Sequence, residues 1–111
     1  MITVTEEVLK QMLQAIVREV DPEEIWLFGS RARGEAGPDS DVDLLVIESE
    51  PFGPQRSRWQ EVTRLYDVAA NLRVATDILV YSRSEVDRRR QWRNHVIARA
   101  MREGRLLYER H

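Results

Sequence analysis

The apolar positions of the first twenty residues recur at the spacing of a helix with one buried face. The apolar side chains are those of Val8, Leu9, Met12, Leu13, Ile16, Val17 and Val20. Positions three and four apart lie on one face of an α-helix. Thr3 and Glu6 have the spacing of a capping box, and Asp21-Pro22 closes the segment. The pattern predicts an amphipathic helix of about four turns, with its apolar stripe in the core.

Two short apolar runs follow, and each has the length and composition of a β-strand. The first covers residues 25–28 and the second covers residues 41–47. Ser30 comes just after the first run and is expected to cap a short helix over residues 31–35. A turn is expected at residues 37–39. Because the connection is short, the two strands are predicted to run antiparallel.

A helix and a third strand are predicted next. Ser57 and Gln60 form a second capping-box pattern. The apolar stripe of this helix consists of Trp59, Val62, Leu65, Tyr66, Ala69 and Leu72. Residues 74–81 are rich in β-forming side chains and are predicted to form the third strand. A strand, a helix and a strand within one sheet predict a right-handed parallel crossover.

Residues 82–103 are predicted to form one long final helix, with Ser82 or Ser84 as its N-cap and Gly104 just beyond its end. Residues 105–108 could add a short terminal strand. The arginines near the start of this helix are Arg83, Arg88, Arg89, Arg90 and Arg93. Most such clusters are a solvated helix face, which is the favoured interpretation. The alternative is a docking surface for an acidic partner.

Together these elements predict an α/β fold, with a mixed central β-sheet and helices mainly on one face, in a single domain over residues 1–111. A net charge of −2 argues against a general nucleic-acid binder. The absence of cysteine excludes disulfides and thiolate zinc sites, and it fits a reducing cytoplasm. No apolar run is long enough to span a bilayer, and the first residues are not expected to form a signal peptide.

Asp41 and Asp43 lie two residues apart at the start of the second strand. Side chains at i and i+2 of a strand point to the same face, which places these carboxylates roughly 6–7 Å apart. Two negative charges this close repel each other, and hard oxygen ligands suit Mg²⁺ or Mn²⁺. The pair therefore predicts a divalent-cation site. The alternative is that the acids only cap a turn and solvate the end of the strand.

Gly29 and Ser30 stand where the first strand turns into the short helix. Glycine lets the backbone approach a ligand closely, and free N–H groups at the start of a helix favour phosphate. A metal site beside a phosphate cradle is the arrangement required for phosphoryl or nucleotidyl transfer.

The segments Gly-Ser-Arg-Ala-Arg-Gly at 29–34 and Ser-Asp-Val-Asp-Leu at 40–44 resemble the signature of the minimal nucleotidyltransferases. These are the smallest members of the DNA polymerase β-like nucleotidyltransferase superfamily. The resemblance is dense over residues 28–46 and looser over the rest of the chain. It implies a nucleotidyltransferase-like fold, ATP as substrate and Mg²⁺ or Mn²⁺ as cofactor. It further implies an antitoxin that transfers AMP to a tyrosine of a HEPN-type RNase toxin.

The resemblance also implies a third acid on the strand after the second long helix, which is Asp77 in this chain. An acid inside an apolar strand needs a partner or a cation, so Asp77 is predicted to join Asp41 and Asp43 as a catalytic metal ligand. A salt bridge to Arg73 is the alternative. The residues expected at the nucleotide phosphates are Gly29, Ser30, Arg31, Arg33 and Ser40. The two arginines cannot both point the same way from so short a helix.

Two other functions stay open at this point. One is a binding module that neutralises its partner by stoichiometric contact and keeps the acids only as relics. It is disfavoured because a relic has no physical reason to keep acids that repel one another. The other is a nucleotidyltransferase that acts on a small molecule such as an antibiotic, which is weaker because the predicted elements use nearly all of the 111 residues and provide no acceptor domain.

Overall fold

The computed structural model describes residues 4–37, 40–92 and 95–110. The helices in chain order are α1 (Glu6–Val20), α2 (Gly29–Ala32), α3 (Arg58–Asn71), α4 (Arg83–Arg89) and α5 (Val96–Glu103). The strands are β1 (Glu24–Phe28), β2 (Val42–Glu48), β3 (Thr76–Ser82) and β4 (Arg105–Glu109). Among the described residues, no helix has both the length and the apolar character needed to cross a membrane.

The four strands form one mixed sheet in the order β3-β2-β1-β4. β1 and β2 are antiparallel, with Phe28 opposite Asp43. β2 and β3 are parallel, with Asp43 beside Asp77. β4 returns antiparallel to β1 and forms the second edge of the sheet. The predicted strand directions and the terminal strand are confirmed.

The two faces of the sheet have separate cores. Alternate strand residues point to opposite faces, so Leu44 packs with Met12 of α1 and Leu65 of α3. On the other face, Leu45 packs with Ile97 and with other buried residues of α4 and α5. The two long helices therefore cover one face, and the two short C-terminal helices cover part of the other. The predicted α/β fold with a mixed sheet is confirmed, and its helices lie on both faces, with the two long helices together on one.

Side-chain caps begin four of the described helices, and three of them are those of α1, α3 and α4. Thr5 caps α1, because its hydroxyl oxygen accepts a hydrogen bond from the Val8 N–H at 3.2 Å. Ser57 caps α3, as predicted. Ser82 caps α4 in a complete capping box with Glu85. Parts of the predicted N-terminal capping box and of the predicted turn before β2 lie outside the described residues, namely Thr3, Pro38 and Asp39.

The prediction of one long helix over residues 82–103 is wrong. The chain forms α4, interrupts the helix and starts α5 with His95 as its N-cap, whose ring nitrogen accepts a hydrogen bond from the Ile97 N–H at 3.1 Å. An uninterrupted helix of this length would extend about 33 Å and would carry Gly104 away from β1. The break instead lets α5 pack beside Phe28, so that β4 can pair with β1.

Candidate active site

A sharp turn at Gly29 joins β1 to α2. Gly29 has a φ of 72°, a left-handed conformation that favours glycine. Helix α2 begins at Gly29, and Phe28 occupies the N-cap position without a side-chain hydrogen bond. The prediction that Ser30 caps this helix is therefore wrong, because the turn starts the helix two residues earlier than the sequence pattern indicates. Ser30 lies inside the first turn.

The backbone of Gly29 packs directly against the carboxylate of Asp43. A Cβ atom added at Gly29 would lie 2.2 Å from Asp43 Oδ2, so the Asp43 carboxylate would have to shift. This contact follows from the sheet register, because Phe28 and Asp43 are opposite each other on β1 and β2. Glycine at position 29 thus permits a close approach between the strand-to-helix turn and the candidate metal ligand.

The three predicted acids lie at one end of the sheet. Asp43 and Asp77 are direct neighbours on the parallel strands β2 and β3. Asp41 stands just before β2, which begins at Val42, one residue later than predicted. Asp41 and Asp77 are exposed, whereas Asp43 is half-buried. Asp77 faces Asp43 rather than forming the alternative salt bridge with Arg73.

Burial and the neighbouring acids alter the pKa of the Asp43 carboxyl. Partial burial raises the pKa of the Asp43 carboxyl, and the neighbouring carboxylates of Asp77 and Asp41 raise it further, whereas Arg33 opposes the shift. Both burial and like charges disfavour the ionised form of an acid. Burial and the neighbouring carboxylates therefore both favour the protonated form of Asp43.

The donor set fits a hard divalent cation, although it does not enclose one. Within residues 4–37, 40–92 and 95–110, no three side chains of His, Cys, Asp or Glu are arranged closely enough to hold a metal ion by themselves. The donors are carboxylate oxygens, which Mg²⁺ and Mn²⁺ prefer. Asp43 in particular stands in a repulsive environment that a cation would relieve.

Arg31 holds the backbone just before Asp41. Its guanidinium donates two hydrogen bonds to the Ser40 carbonyl oxygen, from Nε at 3.0 Å and from Nη2 at 2.7 Å. The Ser40 hydroxyl in turn accepts a hydrogen bond from the Gly37 N–H at 3.0 Å. Arg31 and Ser40 thus shape the loop that leads into β2, and their predicted contacts with phosphate remain predictions. The sequence contained no signal for this contact, because the two residues are nine positions apart across a loop.

Arg33 points in a different direction from Arg31, as expected for a helix of four residues. Its guanidinium lies 3.1 Å from Glu35 and 3.9 Å from Glu103, and the side chain is 37% exposed. Its charge also acts on Asp43, since it opposes the rise of the Asp43 pKa. Arg33 therefore contributes positive charge that favours the ionised form of Asp43.

The predicted arginine cluster of the last helix does not form one surface. Arg83 is tied to the main body by ion pairs with Glu23 at 2.9 Å and Glu24 at 2.8 Å. Arg89 turns toward Glu85 at 3.4 Å. Arg88 is exposed, and Arg93 lies outside the described residues. Part of the cluster is therefore structural, which neither of the two interpretations from sequence included.

The Gly-Ser turn and the acids on adjacent strands can be compared with the features of known protein families. A model of the family described as "Nucleotidyltransferase domain" matches residues 9–110. The chain belongs to this family, which confirms the resemblance found in the sequence.

One named relative and two solved structures are similar to this chain. Over 45 residues the chain is 40% identical to the Haemophilus influenzae protein named "Probable protein adenylyltransferase MntA", and the match covers 40% of this chain and 37% of that relative. A candidate nucleotidyltransferase from Sulfolobus solfataricus has a similar structure, with a TM-score of 0.60 and 25% identity over 94% of this chain and 79% of that chain. A toxin–antitoxin structure with AMP-PNP shares the fold at a TM-score of 0.55, with 19% identity over 89% of this chain and 72% of that chain.

Proposed function

We propose that this chain is a metal-dependent nucleotidyltransferase that moves AMP from ATP to a hydroxyl group of a partner protein. The observation that carries the proposal is the packing of the Asp43 carboxylate against Gly29 and beside Asp77. Membership of the nucleotidyltransferase domain family supports the reaction class. The similarity to the relative named as a protein adenylyltransferase supports a protein acceptor, although that similarity spans only part of both chains.

In this proposal Asp41 and Asp43 hold Mg²⁺ or Mn²⁺, and Asp77 completes the group from the neighbouring strand. The cation, when bound, neutralises charge on the triphosphate and stabilises the attacking and leaving oxygens. Ser30 and the backbone of Gly29 lie against the phosphates, and Arg33 adds positive charge beside the acids. Asp77 is exposed, and in this proposal it aligns the acceptor hydroxyl.

The transfer itself is a substitution at the α-phosphorus of ATP. The acceptor oxygen forms a bond to this phosphorus, the bond to the bridging oxygen of pyrophosphate breaks, and the hydroxyl proton passes to a base. Asp77 can accept this proton or remain a ligand. Because the transition state gains little from covalent chemistry by the protein, positioning and charge neutralisation account for most of the catalysis.

A HEPN-type toxin is the proposed partner. This part of the proposal rests on the resemblance of residues 29–34 and 40–44 to the minimal nucleotidyltransferase signature. A protein with the same fold occurs in a toxin–antitoxin structure with AMP-PNP, which agrees with such a partner. The chain would then act as the antitoxin by modifying the toxin.

The test is transfer of labelled AMP to the protein encoded beside this chain, in the presence of Mg²⁺. We expect the acceptor to gain mass in units of AMP with the wild-type chain and not with the Asp41→Asn/Asp43→Asn double variant. Asp67→Asn is the matched control, since Asp67 is an exposed carboxylate on α3. Equal transfer by the double variant and the control would sink the proposal.

A further inference from the structure

We infer that a groove between α3 and α4 is the docking surface for an acidic segment of the protein that carries the acceptor hydroxyl. The groove has a volume of about 320 Å³. It is lined by Arg58 and Val62 of α3, by Arg89 of α4 and by residues 78–81 of β3. The inference rests on the proposed function, and it adds the place at which the acceptor protein binds and the chemistry of the segment that binds there.

The groove is continuous with the candidate active site along one strand. Leu79 and Tyr81 point to the same face of the sheet as Asp77, because alternate residues of a strand share a face. Leu79 lines the groove and is only two residues from Asp77, which corresponds to roughly 6–7 Å along the strand. A segment lying in the groove can therefore extend along β3 to the acids.

The charge of the groove favours an acidic occupant. Arg58 and Arg89 both form ion pairs with the single carboxylate of Glu85. Two guanidinium groups thus share one negative charge, which leaves the groove lining positive although the whole chain has a net charge of −2. Such a local excess of positive charge attracts acidic segments and increases their rate of association.

Tyr81 lines the groove, and exposed tryptophans neighbour its two arginines, Trp59 in sequence and Trp92 in space. Trp59 follows Arg58 on α3 and is 77% exposed, and Trp92 is 57% exposed. The Arg89 guanidinium carbon lies 5.9 Å from the centre of the Trp92 ring and 5.9 Å from that of Tyr81. Tryptophan, tyrosine and arginine are the side chains enriched at binding hot spots. Two tryptophans this exposed have no role in the core.

The occupant binds through side chains rather than by adding a strand to the sheet. β3 is an edge strand, but side chains occupy part of its free backbone. The Tyr66 hydroxyl accepts a hydrogen bond from the Ile78 N–H at 3.0 Å, and Arg58 donates one to the Val80 carbonyl at 2.5 Å. An added strand would have to displace both contacts. Acidic side chains that reach Arg89, and apolar or aromatic side chains that pack on Trp92, meet no such obstacle.

The test uses a random copolymer of glutamate and tyrosine, which supplies acidic side chains and acceptor hydroxyls together. Binding is measured with the Asp43→Asn variant and MgATP, by the change in tryptophan fluorescence, since the copolymer has no tryptophan. We expect saturable binding that weakens with salt. We expect Arg89→Gln and Trp92→Ala, each added to this variant, to weaken binding about tenfold without changing the melting temperature by more than a few degrees.

Matched controls are Arg105→Gln and Leu106→Ala on β4, the opposite edge of the sheet, where both side chains are exposed. These variants should bind the copolymer normally. A copolymer of lysine and tyrosine should not bind. Equal binding of the basic copolymer, or unchanged binding by both groove variants, would overturn the inference. AMP transfer by the wild-type chain is measured separately, so that groove binding without transfer counts against the proposed function and leaves the docking surface standing.

Discussion

Two separate features favour glycine at position 29, namely its backbone conformation and the close approach of Asp43. Its φ of 72° already favours glycine, and Gly34 shares this feature with a φ of 74°. The two positions differ in their surroundings, because a Cβ at Gly29 would meet Asp43 whereas a Cβ at Gly34 would meet nothing within 4 Å. A pair of alanine substitutions can therefore separate backbone strain from damage to the site.

We expect Gly29→Ala and Gly34→Ala each to lose about 1–2 kcal/mol of stability, because alanine is strained at a left-handed φ. Gly29→Ala should in addition displace Asp43 and reduce AMP transfer by about a hundredfold or more, as misplacing a reactive geometry by an ångström can do. Thermal denaturation and transfer assays on both variants check this. Similar activity in the two variants would show that contact with Asp43 does not matter.

Arg31 should act on metal binding through the loop that it holds. Arg31→Ala removes two hydrogen bonds to the Ser40 carbonyl. Charge-assisted bonds of this kind contribute about 1.5–3 kcal/mol, so Asp41 loses its fixed position. We expect the Mn²⁺ concentration for half-maximal activity to rise about tenfold, with partial rescue by Arg31→Lys, because lysine cannot form the paired contact.

Arg33→Ala is the comparison for Arg31. Arg33 acts on the charge of Asp43 and forms ion pairs with Glu35 and Glu103. Its loss should therefore raise the KM for ATP and leave the Mn²⁺ dependence nearly unchanged. If Arg31→Ala also changed only the KM for ATP, Arg31 would be a phosphate ligand, as first predicted from the sequence.

At the scale of elements, β2 carries perturbed acids at both ends. Glu48 ends the strand, is buried, and contacts Arg56 of the following loop. Arg56 also binds Glu61 of α3 at 2.8 Å. Burial raises the pKa of Glu48 to about 8, and the hydrogen bond and charge of Glu61 add to the shift against the effect of Arg56. Within the described residues Glu48 Oε2 has no hydrogen-bond partner.

The raised pKa of Glu48 makes stability depend on pH. The folded chain holds a proton that the unfolded chain releases above a pKa of 4.5. The stabilisation is therefore complete below about pH 4.5 and is lost as the pH rises through about 8. We expect Glu48→Gln, which mimics the protonated acid, to melt at a higher temperature than the wild type above about pH 8. It should also flatten the pH dependence of melting.

Glu50→Gln is the control for this prediction. Glu50 also approaches Arg56, at 3.6 Å, but its side chain is 79% exposed. Its substitution should leave the pH profile of the melting temperature close to that of the wild type. A Glu48→Gln profile parallel to the wild-type profile would show that Glu48 is ionised in the folded chain.

The sequence predicted the elements whose signal is local and repeated. α1, α3 and the strand directions followed from apolar spacing and from short connections, and Asp43 and Asp77 meet because parallel pairing aligns them. The break between α4 and α5 was missed, because it depends on where β4 must pair with β1. The contact between Arg31 and Ser40 was missed for the same reason, since a three-dimensional turn brings together residues that no sequence period relates.

At the scale of the whole molecule, the acids at one end of the sheet lower the stability of the chain, and the proposed activity requires them. Asp43 and Asp77 are directly beside each other on neighbouring strands, and like charges in such positions destabilise a sheet by about 0.2–1 kcal/mol. A fold selected for stability alone would not retain them. Proteins commonly sacrifice stability at functional sites, so that substitution of site residues stabilises the chain while abolishing its function.

Asp43→Asn should therefore change stability with opposite signs in the absence and presence of metal. Without metal at neutral pH, we expect the variant to be about 0.2–1 kcal/mol more stable than the wild type. This gain should shrink at low pH, because Asp43, whose pKa is raised, is then protonated in the wild type too.

With Mn²⁺ and ATP, the wild type should gain about 2.7 kcal/mol at about a hundred times Kd, whereas the variant should gain little. Melting curves of both proteins, with and without Mn²⁺ and ATP, measure all four states. A wild-type melting temperature that ignores Mn²⁺ and ATP would contradict a metal site at these acids, even if the metal-free variant proved more stable.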